Sequence, residues 1–209
     1  MKKIVFTIAL GLGLLTANAQ IQSLAGPRLG LVYISASPGS SFLNGDLQLD
    51  EMGELPENYN DIAKGALTSL YGWQWESRFA DGGNVTGIVE WIALVGGMEK
   101  GKFLPSVSSM VGARTASGIE FAVGPNLSLS GIAMVFGMGY NFKSGNLNIP
   151  VNIAFVPGRK GSQSIEEEID PQYNSGTGEW EDIIKTPAYT VDYHTGNRFS
   201  ITLGFNLSK

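Results

Sequence analysis

The feature that most constrains this chain is an alternation with period two that runs almost to its last residue. Phe199, Ile201, Leu203, Phe205 and Leu207 alternate with Ser200, Thr202, Gly204, Asn206 and Ser208. In a strand every second side chain points the same way, so one face is apolar and the other small or polar. Leu147, Ile149, Val151, Ile153 and Phe155 repeat the pattern against Asn148, Pro150, Asn152 and Ala154. Ile119, Phe121, Val123 and Leu127 oppose Glu120, Ala122, Gly124 and Asn126. Ile132, Met134, Phe136, Met138, Tyr140 and Phe142 oppose Ala133, Val135, Gly137, Gly139 and Asn141. Less regular versions run over residues 28–36, 67–79, 85–97 and 103–113, giving eight strands. Turn chemistry separates most of them: Asp81-Gly82-Gly83-Asn84, Ala116-Ser117-Gly118 and Lys143-Ser144-Gly145-Asn146. No helical periodicity of useful length and no internal repeat is present.

The first residues read as an address. Lys2 and Lys3 precede an apolar run from Ile4 to Leu15, and Ala17-Asn18-Ala19 supplies a small-x-small cleavage pattern. The run is too short to cross a bilayer as a helix, which needs about 20 residues. We therefore expect residues 1–19 to be a cleaved signal peptide and residues 20–209 to form the mature barrel. No cysteine occurs anywhere, which removes disulfides, thiolate metal sites, cysteine nucleophiles and a lipoprotein anchor.

Two connections are long, residues 37–66 and 159–195, and the other five are short. Even-stranded outer-membrane barrels have short periplasmic turns, longer extracellular loops and both termini in the periplasm. The long connections are the first and the seventh, so both fall at the extracellular end. The expected fold is all-β: an eight-stranded antiparallel transmembrane β-barrel with two long extracellular loops, in a bacterial outer membrane.

The face opposite the apolar rows collects Arg28, Gln74, Glu76, Arg78, Glu90, Arg114, Glu120 and Arg198. So many charges would be costly in a dry sandwich core, the competing all-β architecture. In a narrow barrel they predict a salt-bridged network that plugs the lumen, since eight strands leave an interior that side chains can fill. That plug argues against a small-solute pore. Glycines at 72, 112, 124, 137 and 139 relieve crowding inside. Tyr71, Trp73, Trp75 and Trp91 fall on the outer face, where aromatic girdles sit.

Glycine, at 28 of 209 residues, is about twice its usual share, and charged residues reach only 16%. Aromatic content of 10% excludes a disordered chain, and a net charge of −5 argues against nucleic acid as a partner. Fourteen of the nineteen acids lie in the two long loops, among them Asp46, Asp50, Glu51, Glu166, Glu167 and Glu168. They lack EF-hand spacing, and ordinary solvated loops account for them better than Ca²⁺ or Mg²⁺ bridging to lipopolysaccharide. The same loops carry Tyr59, Tyr173, Trp180, Tyr189 and Tyr193. Aromatic residues among charges suit a protein contact, and loops of this length are seldom idle.

The exported start ending Ala17-Asn18-Ala19-Gln20, the segment from Gly124 to Gly131 (Gly-Pro-Asn-Leu-Ser-Leu-Ser-Gly), and the ending Gly204-Phe205-Asn206-Leu207-Ser208-Lys209 resemble small outer-membrane barrels of the Bacteroidota type. The resemblance implies an envelope location and a barrel, and supplies no catalytic residues. Many outer-membrane barrels end on an aromatic residue, whereas Lys209 ends this chain.

Only one histidine is present, His194, with Asp192 beside it and Ser200 further along. A lipid-modifying barrel enzyme is the catalytic alternative, but the His-x-Ser spacing of lipid A deacylase barrels is missing, position 196 being glycine. One histidine without a positioned nucleophile makes no triad. The expectation is a non-enzymatic structural or interaction protein without cofactor or metal. Its partners would be outer-membrane lipid, lipopolysaccharide and the subunits of a larger outer-membrane complex.

Overall fold

The computed structural model describes residues 23–47 and 54–208. The expected signal peptide, Asp50, Glu51 and Lys209 lie outside them. Strands β1 (Ser23–Ile34), β2 (Ala66–Asp81), β3 (Val85–Gly96), β4 (Leu104–Thr115), β5 (Ile119–Ser128), β6 (Gly131–Ser144) and β7 (Leu147–Val156) follow one another as antiparallel neighbours. The seventh connection carries β8 (Lys160–Ile165), β9 (Glu168–Asn174), β10 (Glu179–Thr186) and β11 (Tyr189–His194). The chain then returns as β12 (Arg198–Gly204) and β13 (Asn206–Ser208).

The sheet closes because β1 pairs antiparallel with β2 on one side and with β12 and β13 on the other. Together β12 and β13 form one barrel strand. Arg28 faces Gly204 and Ala25 faces Leu207, so the register is continuous across the break at Phe205. Prolines flank that break: Phe205 N–H donates to Pro27 O at 3.0 Å, and Gly204 lies against the Pro150 ring. Proline has no N–H to give to a ladder, so the pairing is interrupted without changing register. The result is an eight-stranded antiparallel barrel with no free edge, which satisfies the backbone without water.

The strands lie where the alternation places them, within two residues at most ends. The first differs most. It starts at Ser23, five residues before Arg28, although Gly26-Pro27 is a pair that usually interrupts a strand. In the barrel Pro27 is held between Trp73 of β2 and Phe205.

Large apolar residues face outward all round, including Leu31, Tyr33, Trp73, Trp91, Phe121, Phe136, Ile153 and Ile201, all exposed. Trp75 and Trp91 sit directly opposite each other across β2 and β3. A closed barrel with an apolar exterior and charged residues buried inside is the architecture of a transmembrane β-barrel. Short turns close one end (residues 82–84, 116–118 and 145–146). The opposite end carries the long connections and a 3-10 turn at Met98–Lys100.

The long connections are not plain loops. A helix over Pro38–Asn44 is capped by Ser37, whose Oγ accepts from Ser40 N–H at 3.1 Å while Ser40 Oγ accepts from Ser37 N–H at 2.9 Å. This reciprocal cap, with Pro38 opening the first turn, starts a helix too short for any periodicity to reveal. A single further turn spans Tyr59–Ile62. Leu55, Tyr59, Ile165 and Val191 then form a small buried cluster that ties the first connection to the seventh. Asn60 Nδ2 donates to Asp192 O at 2.7 Å, and the Tyr189 hydroxyl donates to Leu55 O at 3.0 Å.

Candidate functional site

Inward residues of neighbouring strands meet in two hydrogen-bonded groups toward the short-turn end of the lumen. In the first, Arg28 donates through Nε to Thr202 Oγ1 at 3.0 Å and through Nη1 to Gln74 Oε1 at 2.6 Å. Gln74 Nε2 in turn donates to Glu90 Oε1 at 2.5 Å. With its amide oxygen turned toward Arg28, Asn152 accepts from Nη2 at 2.7 Å and donates to Val151 O at 3.0 Å. In the second group, Arg114 donates to both oxygens of Glu76, each at 2.6 Å, and through Nε to Glu120. Asn141 Nδ2 donates to Asn148 Oδ1 at 3.1 Å nearby. Parallel N–H donation to one carboxylate is the strongest geometry a guanidinium offers.

Six of the eight expected lumen residues join these groups: Arg28, Gln74, Glu76, Glu90, Arg114 and Glu120, all buried. Arg78 is half-buried on β2 where the register shifts, close to the short turns. Arg198 is at the opposite end, paired with Ile34 of β1 and Val156 of β7, and its side chain makes no ion pair or hydrogen bond among the described residues. Sequence reasoning placed these groups on one face without separating them by depth. It also did not single out Thr202, which completes the coordination of Arg28.

The plug fills only part of the lumen, and the expectation of a filled interior is corrected here. Above the charged groups lies a chamber of about 770 Å³ that opens toward the long connections. Val32, Ile34, Leu70, Ile92, Leu94, Met110, Val135 and Val156 line it. Its polar lining includes Arg28, Glu90, Glu120, Asn126, Asn152 and Thr202 at the charged end and Thr195, Arg198 and Ser200 nearer the mouth, where Pro38, Phe42 and Leu55 come from the connections. The lumen stays open here because the inward residues are medium-sized aliphatics, and Ala122, Gly137 and Ala154 leave space between them.

The loop aromatics divide in two. Tyr59 is buried in the cluster with Leu55, Ile165 and Val191, and Tyr189 and Tyr193 pack against that cluster. Burial pushes the Tyr59 phenol up, against the lowering effect of its contact with Ser41. These three side chains hold the connections together, and Tyr59, being buried, is not the exposed partner contact expected of it, while Tyr189 and Tyr193 stay half-exposed. Tyr173 and Trp180 are exposed, and their rings meet edge to face at 5.6 Å.

His194 is half-buried and its Nδ1 accepts from Gly196 N–H at 3.2 Å. Asp192 is exposed, and the structure gives no hydrogen bond between its carboxylate and the imidazole. Among the described residues no group of three or more His, Asp or Glu side chains comes together as a metal site.

At the mouth, Glu99 of the 3-10 turn reaches back to β2. Thr68 Oγ1 donates to it at 2.5 Å, Ser69 N–H donates at 3.1 Å, and Ser69 Oγ donates to the other oxygen. These donors hold the Glu99 carboxyl at about 2, well below its ordinary value of 4.5.

No protein-family model matches the chain, and no curated protein matches its sequence. Among solved structures the chain is similar to OmpT (in-vitro folded), an outer membrane protein of Vibrio cholerae. Identity is 12%, the match covers 69% of this chain and 43% of that one, and the TM-score is 0.23. The chain thus matches less than half of that protein's length, and a likeness this loose carries no argument. The barrel is established by its own strand pairing.

Proposed function

We propose that this chain is an integral protein of a bacterial outer membrane, exported by residues 1–19, with its termini in the periplasm. In this reading it is a structural or interaction protein, of the small Bacteroidota barrel type, that docks a protein partner as an accessory subunit of a larger outer-membrane complex. Lipid and lipopolysaccharide surround its apolar belt. The salt-bridged groups in the lumen support a non-conducting barrel, and no catalytic step is assigned to it.

The observation that carries the docking reading is the hairpin formed by β9 and β10. Among the described residues it pairs with no other strand. Its register places Ile169 opposite Ile184, Pro171 opposite Asp182 and Tyr173 opposite Trp180 on one face. Asp170, Gln172, Asn174, Glu179, Glu181 and Ile183 occupy the other. Ile169, Tyr173, Trp180 and Ile184 are all exposed. A two-stranded hairpin alone in water is marginal, and an uncovered apolar face calls for a cover. The acids on the opposite face and in the adjoining Glu166-Glu167-Glu168 repel an anionic lipid surface, so a protein with an apolar patch and a basic rim fits better than a membrane.

Mild-detergent purification of the tagged protein from native envelopes tests this reading, with Trp180→Ala run in parallel. Stoichiometric partners are expected with the native chain, and retention is expected to fall roughly 30-fold with Trp180→Ala if the tryptophan is a hot spot. A folded native barrel that purifies alone, or partners held equally by the variant, would overturn it.

A further inference from the structure

The lumen carries four arginines and three glutamates, and two of the arginines, Arg28 and Arg198, line the chamber. Glu76 and Glu120 are taken by Arg114, and Glu90 belongs to the chain of hydrogen bonds from Arg28 through Gln74. Arg78 lies at the far end, by the short turns. Arg198 is left where the chamber opens, flanked by buried Ile34 and Val156 and without an ion-pair partner among the described residues. A half-buried cation set in an apolar wall is expensive unless something neutralises it.

From this arrangement we infer that the chamber binds one long-chain anionic amphiphile of the fatty-acid kind, its headgroup on Arg198 and its chain against Val32, Leu70, Ile92 and Val135. The volume of about 770 Å³ lies within the range of small-molecule sites, and eight-stranded barrels are wide enough to hold one small ligand. The other cation lining the chamber, Arg28, already donates to Gln74 and Thr202, and the orientation of Asn152 that faces it takes a third donor. Arg198 is therefore the guanidinium left free to fork onto a carboxylate. Ser200 and Thr195 line the same region and supply hydroxyls for the headgroup's remaining lone pairs. A neutral apolar molecule would leave Arg198 uncompensated, and a cationic one would be repelled by it.

The full-length barrel in phosphatidylcholine nanodiscs can be titrated with palmitate and, separately, with uncharged hexadecanol. Palmitate is expected to saturate at one per barrel. Arg198→Gln should weaken palmitate about tenfold or more, the scale of a charged hydrogen bond, and leave hexadecanol unchanged. Val135→Trp, which fills the chamber from the β6 wall, should abolish saturable binding of both. Heat-modifiable electrophoretic migration confirms that each variant is folded. Non-saturable uptake, or equal binding by Val135→Trp, would show partition into the lipid disc and overturn the site. Loss with Val135→Trp but none with Arg198→Gln would overturn the anionic assignment.

Discussion

Arg114 and Glu76 face each other inside the barrel through two parallel hydrogen bonds of 2.6 Å, although 38 residues separate them in the chain. Arg114 also holds Glu120, so one guanidinium compensates two buried carboxylates. Removing it leaves both without their partner, whereas an apolar replacement of all three members removes the charges together. Arg114→Leu is expected to destabilise the barrel by about 3–5 kcal/mol. The triple replacement of Glu76, Arg114 and Glu120 by leucine should cost much less. Urea unfolding in detergent micelles measures both, and equal losses would show that packing rather than charge compensation holds this layer.

Gly124 lies where two neighbouring strands leave no room for a side chain. A Cβ there would lie 1.9 Å from Ser109 O on the adjacent strand. Backbone cannot step aside as a side chain can, so Gly124→Ala should cost about 1–3 kcal/mol. Gly137 was expected to relieve crowding in the same way, but its Cβ would press only on the flexible end of Met110, at 3.0 Å, with the nearest backbone oxygen at an ordinary 3.6 Å. Gly137→Ala should be close to neutral. Thermal unfolding of the two variants side by side checks the contrast.

Glu99 links the third connection to β2, and its pH response has a definite sign. Its carboxyl is held at about 2 in the folded chain against an ordinary 4.5. The link is therefore fully present above pH 4.5 and is lost as the pH falls toward 2. Between those values the thermal midpoint of the native barrel should fall more steeply than that of Glu99→Gln, with the two profiles parallel above pH 5. A variant whose midpoint tracks the native one throughout would remove Glu99 from the acid response.

The barrel was legible because strand alternation is local. Phe199 to Leu207 shows it without knowledge of any other strand, and glycine-rich turns separate the copies. The same alternation placed Arg28, Glu76, Glu90, Arg114 and Glu120 on the inner face. The helix over Pro38–Asn44 left a weaker trace, a Ser-Pro-Gly-Ser start at Ser37 that looks like any turn. Pairing in the second long connection was missed because β8 and β11 lie far apart in sequence and alternate over only six residues each.

Sequence by itself determined the inside and outside of the wall, since side-chain direction in a strand depends only on the count of residues. Tertiary structure alone decided depth. Register and closure bring Arg114 to Glu76, leave Arg198 at the other end, and separate a charged floor from an apolar chamber. They also turn Tyr59 inward while leaving Tyr173 and Trp180 uncovered. Those outcomes depend on which strands become neighbours and how they are staggered, a relation between distant segments that no local pattern encodes.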